Sequence, residues 1–348
     1  MNKKILEQFE LLIDMIKSNL NTARKDGESK EITRNSFRLK YMLNIYNIIK
    51  KLDFKLTLSN YIKLKEYNRV GKGSLDRVKE ILEKGKLLEL KNYKPNKKEK
   101  KDLSDLESVV NIGPKLALEL YDMGATNVKK LKKMIKEEKI KVNDKVMLGL
   151  KYYKKYKLNI PRKEIDMVYL LIKKVIKKLN KDMNYDDTNK YIFEICGSYR
   201  REKPFSNDID VLITKLGTTE KTKDNDIHLE KIVDIMKDKI KFNDNKPFIR
   251  DSMTDDNIVT KFMGFSKFRN NPFRRIDIRF VSYENFYSAL LYFTGSMELN
   301  QMMRVKAKKL GYKLSEYGLF KNNKKIKIKS EEMFFKKLGL DYIEPRLR

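Results

Sequence analysis

Two aspartates separated by one residue open a short apolar segment, in which Asp208 and Asp210 alternate with Ile209 and Val211. Alternate side chains of a β-strand point to the same face, which would place the two carboxylates roughly 7 Å apart on one side. Asp277 holds a similar position in an Arg-Ile-Asp-Ile-Arg segment 67 residues further on, far enough to return on a neighbouring strand. Three carboxylates on adjacent strands predict a site for divalent cations.

This oxygen-only set suits Mg²⁺, and two such ions about 3.5–4 Å apart can stabilise the attacking and leaving oxygens of phosphoryl transfer. Ten residues before Asp208, Ser198 follows Gly197 in a turn that offers a hydroxyl and close backbone approach to phosphates. Arg201 adds a guanidinium that can bind a phosphate oxygen. An Asp-x-Asp pair alone is more often surface charge on a half-exposed sheet, but the Gly-Ser-x-Arg-Arg turn and the third aspartate favour phosphoryl transfer.

The elements that must position these residues follow from the hydrophobic pattern. Alternation predicts strands in YIFEICGSY, DIDVLIT and RRIDIRFVS. Helical spacing predicts a helix over residues 164–180, one around LEKIVDIMKDKIK within the polar stretch 215–256, and two after Tyr283 in NFYSALLYFTGS and ELNQMMRVKAKKLG. A short strand or hairpin near residues 317–328 and a last helix over 331–338 complete this half.

The first half is predicted to be helical over residues 1–90, followed by a lysine-rich linker from Lys91 to Lys101. Two segments, around Gly71 and Gly113, share one pattern. Each has an apolar residue, then a short glycine-containing turn, then an amphipathic helix. Such a turn can bind a phosphate through backbone N–H groups without contacting bases, although one glycine turn alone is an ordinary helix connection. The candidate DNA-backbone contacts are Gly71, Lys72, Gly73, Gly113 and Lys115.

The net charge of +31, from 79 basic and 48 acidic residues, predicts a polyanionic partner. Part of this excess fits the lysine-rich composition of an AT-rich genome. The distribution argues for more, because residues 1–190 carry 47 basic against 26 acidic side chains and residues 191–300 carry 18 against 17. Residues 301–348 are again basic, with 14 against 5. A near-neutral, carboxylate-bearing centre between basic flanks is typical of a catalytic region beside phosphate-binding segments.

The single cysteine, Cys196, and the single histidine, His228, exclude a disulfide framework and a Cys/His zinc site. No apolar run approaches the ~18 residues of a membrane span, and the N-terminal segment is amphipathic and partly acidic, unlike a secretory signal. We therefore expect an intracellular protein of the nucleus or cytoplasm, neither secreted nor bound to a membrane. For a viral protein, the virion or viral factory takes their place.

The motifs GSYRREKPFSNDIDVLIT, RRIDIRF and LYFTGSMELNQMMRVKAKKLGYKLSEYGLF resemble, in order and spacing, those of the family X DNA polymerases of the polymerase beta type. The resemblance implies an α+β fold, in which a helical N-terminal domain with helix-hairpin-helix motifs precedes a nucleotidyltransferase palm with a mixed, mostly antiparallel sheet and a C-terminal α/β thumb. The implied segments are 1–92 (5′-phosphate and DNA binding, lyase-like), 93–160 (helix-hairpin-helix), 161–282 (palm) and 283–348 (nucleotide selection).

The resemblance also implies roles for individual residues. Asp208 and Asp210 would hold two Mg²⁺ ions, with Mn²⁺ as a substitute, and Asp277 would hold the catalytic ion near the primer 3′-OH. The implied nucleotide-binding residues are Gly197, Ser198, Arg201, Asn207, Tyr292, Phe293, Gly295 and Asn300. The implied template and primer contacts are Arg275, Arg279, Arg304 and Tyr317. The carbonyls of Val109 and Ile112 would bind a monovalent cation, Na⁺ or K⁺, beside the primer.

Departures from the family pattern concern the nucleotide and template contacts. Met297 stands in place of an acidic nucleotide contact, Gln301 in place of a lysine near the template, and Asn159 in place of an arginine that contacts the triphosphate. Tyr292 and Phe293 alone would be read as core residues of an apolar helix. The Thr-Gly-Ser break that follows them favours a pocket.

The implied function is gap filling in base excision repair, by a monomer that binds gapped or nicked duplex DNA and dNTPs, with a DNA ligase and an AP endonuclease as partners. A 5′-deoxyribose-phosphate lyase is a second implied activity, but Arg77 occupies the position of its lysine nucleophile and cannot form an imine. Lys72 and Lys79 are the candidate replacements, or they are ordinary phosphate-binding or solvated lysines. The alternatives to the polymerase are a template-independent nucleotidyltransferase and a non-catalytic DNA-binding scaffold.

Overall fold

The chain forms two compact units, Met1–Lys151 and Tyr152–Arg348, in a computed structural model. The described residues are 1–67, 69–156, 158–240, 246–254 and 258–348. Within these ranges, no helix has the length and apolar character that crossing a membrane requires. The division into four functional segments is finer than these two units and stays a prediction.

The first unit is built from helices. They are α1 (Lys3–Lys25), α2 (Ser29–Lys51), α3 (Lys72–Lys84), α4 (Lys97–Glu107), α5 (Pro114–Asp122), α6 (Val128–Lys136) and α7 (Asp144–Tyr152). Apolar residues at helical spacing in α1, including Phe9, Leu12 and Ile16, are fully buried against α2 and α3. The predicted helical character of residues 1–90 is confirmed.

The predicted linker from Lys91 to Lys101 is wrong in its second half, because α4 begins at Lys97. The Asn96 side chain accepts a hydrogen bond from the Glu99 backbone N–H at 3.1 Å, and its amide donates to the Glu99 carboxylate at 2.9 Å. The first bond satisfies one N–H group that the first turn would otherwise leave without a partner, and the second joins the two side chains. The lysine-rich composition of the segment does not indicate this helix start, which depends on Asn96 and Glu99.

The second unit contains the strands. They are β1 (Ile160–Pro161), β2 (Tyr191–Ile195), β3 (Phe205–Ser206), β4 (Ile209–Lys215), β5 (Ile249–Ser252), β6 (Lys261–Ser266), β7 (Arg274–Phe280), β8 (Tyr312–Ser315), β9 (Gly318–Lys321) and β10 (Lys324–Ile326). Its helices are α8 (Arg162–Asp182), α9 (Gly197–Arg200), α10 (His228–Asp234), α11 (Phe286–Thr294), α12 (Met297–Lys309) and α13 (Glu331–Lys337). A five-stranded mixed sheet has the order β2-β4-β7-β6-β5, in which β4 and β7 are the parallel pair.

Apolar side chains cover both faces of β4. Ile209, Val211 and Ile213 pack into a core that α8 and α10 complete, whereas Leu212 packs with Phe286 and its neighbours on α11. Asp208 and Asp210 precede Leu212 on the same face by strand alternation. The two carboxylates therefore lie on the face of the sheet against which α11 packs, just before the residue that α11 covers. The mixed-sheet, α+β architecture agrees with the predicted fold.

Several element predictions need correction. The predicted strand YIFEICGSY ends at Ile195, because Gly197 turns the chain into α9 with φ +61°. Strand β5 lies in the stretch predicted to be polar with one helix, and β6 and β8 were not predicted. These strands are four to six residues long and pair with neighbouring segments of the chain, but so short a run carries too little alternation to indicate a strand.

Candidate active site

The three predicted metal-binding aspartates lie at one end of the parallel pair. Asp210 on β4 is directly opposite Asp277 on β7, and Asp208 immediately precedes β4. The intervening strands β5 and β6 continue the sheet on the far side of β7, with Met263 opposite Asp277. The prediction that Asp277 returns on a strand next to that of Asp210 is therefore confirmed.

Gly197 allows α9 to approach the Asp210 carboxylate closely. The Cys196 N–H donates to the Asp210 carbonyl at 2.8 Å, and Gly197 follows with φ +61°. A Cβ at Gly197 would lie 2.8 Å from Oδ2 of Asp210, a distance that side chains do not tolerate. Glycine is required here both by conformation and by space.

The carboxylates repel one another in a partly desolvated site. Burial, followed by the charges of Asp208 and Asp277, raises the pKa of Asp210 to about 7. Burial and the charge of Asp277 also raise the pKa of Asp208 above its ordinary value. Carboxylates in this state gain from any bound cation, because a cation stabilises their ionised form.

Arg275 is the cation that Asp277 now contacts. Its Nη2 donates to both carboxylate oxygens of Asp277, at 3.1 and 3.2 Å. Within the described ranges, no three Asp, Glu, His or Cys side chains are grouped closely enough to hold a metal ion together. The donor set nevertheless fits a divalent ion that prefers oxygen, once Asp277 exchanges its guanidinium partner for the metal.

A cleft of about 550 Å³ opens beside Asp208 and Asp210. All eight predicted nucleotide-binding residues line it. The full lining is Gly197, Ser198, Arg201, Asn207, Asp208, Asp210, Tyr292, Phe293, Gly295, Met297, Asn300, Gln301 and Arg304. Asp277 lies outside this lining and borders a small neighbouring cavity of about 50 Å³ together with Asp210, Arg279 and Phe293.

The cleft walls are held by hydrogen bonds around the turn between α11 and α12. Nη1 of Arg201 donates to the Thr294 carbonyl at 2.5 Å, and Nδ2 of Asn300 donates to the Tyr292 carbonyl at 2.8 Å. Ser198 donates to the hydroxyl of Ser206 on β3 at 2.8 Å. The pattern of the sequence did not single out Ser206, since nothing marks an isolated serine as a partner of the turn.

The predicted template and primer residues divide into two groups. Arg304 lies over the Tyr292 ring at 5.1 Å and pairs with Glu316 at 3.8 Å, and Arg279 lies over the Phe293 ring at 5.5 Å. These two and Arg275 are therefore near the cleft or the aspartates. Tyr317 is exposed at the β8–β9 turn and does not line the cleft.

The two glycine turns of the first unit have nearly the same backbone conformation. Gly71 precedes α3 with φ −98° and ψ 173°, and Gly113 precedes α5 with φ −87° and ψ 174°. Pro114 occupies the first turn of α5, as predicted. The equivalent conformations agree with two phosphate-binding turns of one kind. Phosphate binding by these turns stays a prediction for all five residues, Gly71, Lys72, Gly73, Gly113 and Lys115.

The predicted cation-binding carbonyls lie at the second turn. The Val109 carbonyl accepts from the Ile112 N–H at 3.0 Å. Gly149 on α7 lies against this turn, and a Cβ there would be 2.1 Å from the Val110 carbonyl oxygen. The turn is thus braced by a close helix approach that only glycine permits. Binding of Na⁺ or K⁺ stays a prediction.

The lyase nucleophile position is occupied by an ion-paired guanidinium. Arg77 donates to both carboxylate oxygens of Glu89, at 2.5 and 3.2 Å, and to the Gly73 carbonyl at 2.9 Å. Of the two candidate lysines, Lys79 is exposed and lies 3.7 Å from Glu83, and Lys72 is exposed at the start of α3. Neither environment is the buried or strongly positive one that makes a lysine nucleophilic.

Comparison with known proteins gives matches along the chain. A DNA polymerase beta palm family model matches residues 159–283, and a DNA polymerase beta thumb model matches residues 289–348. DNA polymerase lambda of Arabidopsis thaliana is 28% identical over 366 aligned positions, covering 100% of the chain and 62% of that protein. DNA polymerase lambda of Rattus norvegicus is 28% identical, covering 85% and 50%. DNA nucleotidylexotransferase of Xenopus laevis is 25% identical, covering 92% and 65%. The chain thus spans between half and two thirds of the length of these relatives.

Proposed function

The chain belongs to the polymerase beta-like enzymes of DNA polymerase family X, and on that premise we propose that it fills short gaps in DNA during base excision repair. It would join the α-phosphate of a dNTP to a primer 3′-hydroxyl and release pyrophosphate. One observation carries the proposal. Asp210, in register with Asp277, lines a cleft that also contains every residue predicted to bind the nucleotide.

Family X polymerases use divalent metal ions. In this chain Asp208, Asp210 and Asp277 would hold two Mg²⁺ ions, or Mn²⁺ in their place, and the bound ions would neutralise charge on the attacking and leaving oxygens. The raised pKa values of Asp208 and Asp210 support the assignment, because burial and mutual repulsion outweigh the nearby arginine charges and a bound cation would offset both. Asp277 would break its ion pair with Arg275 when it binds a metal ion.

The remaining cleft residues would hold the nucleotide. Ser198 and the Gly197 backbone lie where the triphosphate would enter, and Arg201 supplies a guanidinium for a phosphate oxygen. The adjoining rings of Tyr292 and Phe293, 5.0 Å apart, offer a wall for the sugar and base. Asn300, fixed to the Tyr292 carbonyl, would present its amide oxygen to the nucleotide.

Arg304, Arg275, Arg279 and Tyr317 are the proposed contacts to the template and primer. Gly71, Lys72, Gly73, Gly113 and Lys115 are the proposed contacts to DNA phosphates. These phosphate contacts are independent of sequence, as a repair enzyme acting at scattered lesions requires. A DNA ligase and an AP endonuclease, in the nucleus or cytoplasm, are the partner classes that the substrate and product imply.

The test is nucleotide incorporation on four DNA substrates with Mg²⁺. They are a one-nucleotide gap with a 5′-phosphate, the same gap with a 5′-hydroxyl, an open primer-template and a single strand. Templated incorporation that is fastest on the phosphorylated gap supports gap filling. Equal rates on the gap and the open primer-template would remove the repair assignment and leave a general templated polymerase. Binding without incorporation, with Mg²⁺ or Mn²⁺, would leave a DNA-binding scaffold.

A second candidate function is template-independent nucleotidyl transfer, which the similarity to a DNA nucleotidylexotransferase favours. The same cleft and aspartates would serve both reactions. Arg304 beside Tyr292 is the feature that favours a template, because a guanidinium there could contact the opposite strand. Untemplated addition to the single strand, at a rate comparable with gap filling, would establish the second candidate instead.

A further inference from the structure

Helix α6 carries a dense set of lysines. Five of its nine residues are lysine, and none is acidic. Its apolar residues Val128 and Leu131 are buried, whereas the lysines are exposed. Four of the lysines recur at intervals of three or four residues and therefore share one face of the helix. They are Lys129, Lys132, Lys133 and Lys136, which together form the α6 lysine face.

This arrangement costs helix stability. Like charges three or four residues apart repel one another, and a cation in the first turn, such as Lys129, opposes the helix dipole. Lys133 lies 3.6 Å from Glu137, the residue that follows α6, but this glutamate also pairs with Lys139 at 2.8 Å. Exposed ion pairs of this kind contribute little. An anionic partner would therefore stabilise the face more than the fold itself does.

Charge alone does not select a partner, because α8 carries a similar row of exposed lysines. The position of α6 does. The Val128 N–H donates to Oδ2 of Asp105 at 2.8 Å, which joins the first turn of α6 to the last turn of α4. The chain reaches Gly113 eight residues after Asp105, and hydrogen-bonded turns at 106–109 and 109–112 keep this connection compact. The lysine face therefore begins close to the second glycine turn.

We propose that the α6 lysine face binds phosphates of the same duplex DNA that the turn at Gly113 contacts. The inference rests on the proposed function for its choice of DNA as the partner. From Lys129 to Lys136 the face is about 10 Å long, at 1.5 Å per residue. A duplex carries about one negative charge per 1.7 Å of its axis, so about six phosphates lie along a stretch of that length.

The side-chain types of α6 favour duplex DNA over other polyanions. The helix contains no aromatic residue, so a single strand would find no ring on which to stack its bases. Protein interfaces are enriched in aromatic residues and arginine and depleted in lysine, which is the opposite of this face. Lysine is a point charge on a flexible stem and contacts phosphates without reading bases, as binding to duplexes of any sequence requires.

The experiment replaces the four lysines together and compares the result with a matched set on α8. Glutamine removes each charge and keeps a high helix propensity. The test variant is Lys129→Gln, Lys132→Gln, Lys133→Gln and Lys136→Gln. The control variant, which changes the net charge equally on one exposed helix face, is Lys173→Gln, Lys174→Gln, Lys177→Gln and Lys178→Gln.

We expect the α6 variant to reduce the slope of log K against log salt for duplex DNA by about 3 to 4, at about 0.9 for each lost phosphate contact. The α8 variant should match the wild type. In hydroxyl-radical footprinting, the wild type should protect about three base pairs more than the α6 variant, because one base pair rises about 3.4 Å. Equal slope losses in the two variants, or an unchanged slope in the α6 variant, would overturn the proposal.

Stability and rescue separate phosphate binding from a structural role of the lysines. The α6 variant should have an equal or higher Tm, because the substitutions relieve repulsion within the helix. Arginine at the same four positions keeps the charges and should retain the slope and the protected length of the wild type. A lower Tm together with a slope that arginine does not retain would assign the lysines to folding and overturn the proposal. A larger slope loss for single-stranded than for duplex DNA would overturn the choice of duplex.

Failure of the proposed function itself has a different signature. The wild type would then bind duplex DNA with a slope that depends on the α6 lysines, yet incorporate no nucleotide on any of the four substrates. That outcome would remove the polymerase and keep the binding face. A wild type that fills the gap, with the full salt slope retained in the α6 variant, overturns the lysine face alone.

Discussion

Asp210 and Asp277 lie opposite each other in the parallel β4–β7 pair, although 66 residues separate them in the chain. Parallel neighbours direct matched residues to the same face, so that the two carboxylates share one side of the sheet. The β5–β6 hairpin is placed beyond β7 and does not interrupt this pair. The proposed chemistry therefore depends on a strand order that keeps β4 and β7 adjacent.

Asp277→Asn should reduce incorporation on the gapped substrate by about 10³-fold or more, since loss of metal-based charge stabilisation amounts to several kcal/mol. The amide retains the shape of the carboxylate but is a weaker ligand. Single-turnover rates with Mg²⁺ measure the effect, and DNA affinity should be nearly unchanged. Asp341→Asn, at an exposed position outside the cleft, is the matched control. Full activity of Asp277→Asn would remove this residue from the proposed site.

Arg275→Met should lower the Mg²⁺ concentration that half-saturates the protein by about five- to tenfold, the effect of removing a partly exposed ion pair. The guanidinium contacts both oxygens of Asp277 and competes with a metal for them. The measurement is the rise in Tm on Mg²⁺ titration without DNA, which does not depend on turnover. Arg269→Met, at an exposed position, is the control. An unchanged or weaker response would show that Arg275 does not compete.

These residues show which features of the fold and the site can be predicted from the sequence. Alternation within DIDVLIT placed Asp208 and Asp210 on one face because strand geometry is local. The matching Asp277 segment predicted that its strand lies beside β4. The exact register of β4 and β7, and the hydrogen bond from Arg200 to Glu331 across 131 positions, are not contained in any local pattern. The ion pair of Arg275 with Asp277 could not be predicted from the sequence either, because side-chain rotamers depend on tertiary packing. Motif resemblance located the cleft-lining residues but did not describe what holds them.

Lys72→Gln and Lys115→Gln should each reduce the slope of log K against log salt for duplex DNA by about 1, the change expected for one phosphate contact. Each lysine lies within two residues of a glycine turn that exposes helix N–H groups. Filter binding at several salt concentrations gives the slope. Lys84→Gln, at the opposite end of α3 from Gly71, should leave it unchanged. Equal losses in all three variants would indicate diffuse attraction without defined turns.

His228 should make the stability of the second unit depend on acidity. Burial, and then the charge of Lys215, lower the pKa of His228 to about 4, and its ring bonds Tyr191 at 2.8 Å. In the unfolded chain His228 is protonated near pH 6.5, whereas in the folded chain it is protonated only near pH 4. The stability that depends on a neutral His228 is therefore fully present above about pH 6.5 and is lost as the pH falls towards 4.

The loss should amount to at most about 3 kcal/mol, from the difference between the two pKa values. Urea unfolding at pH 7.5, 5.5 and 4.5 should show a smaller decline for His228→Gln than for the wild type. The chain has one histidine, so the difference between the two slopes belongs to this residue. Parallel slopes would mean that the buried ring is protonated at little cost.

The helical unit should not form an imine with a 5′-deoxyribose phosphate. Arginine stays protonated, and Arg77 is held by Glu89, while Lys72 and Lys79 are exposed and in ordinary surroundings. Borohydride reduction of the wild type with an incised abasic duplex should therefore trap no covalent adduct. The double variant Arg77→Lys with Glu89→Gln places an unpaired amine at the same position and should gain one. An adduct in the wild type that disappears in Lys72→Arg or Lys79→Arg would show instead that a neighbouring lysine has taken over the nucleophile's role.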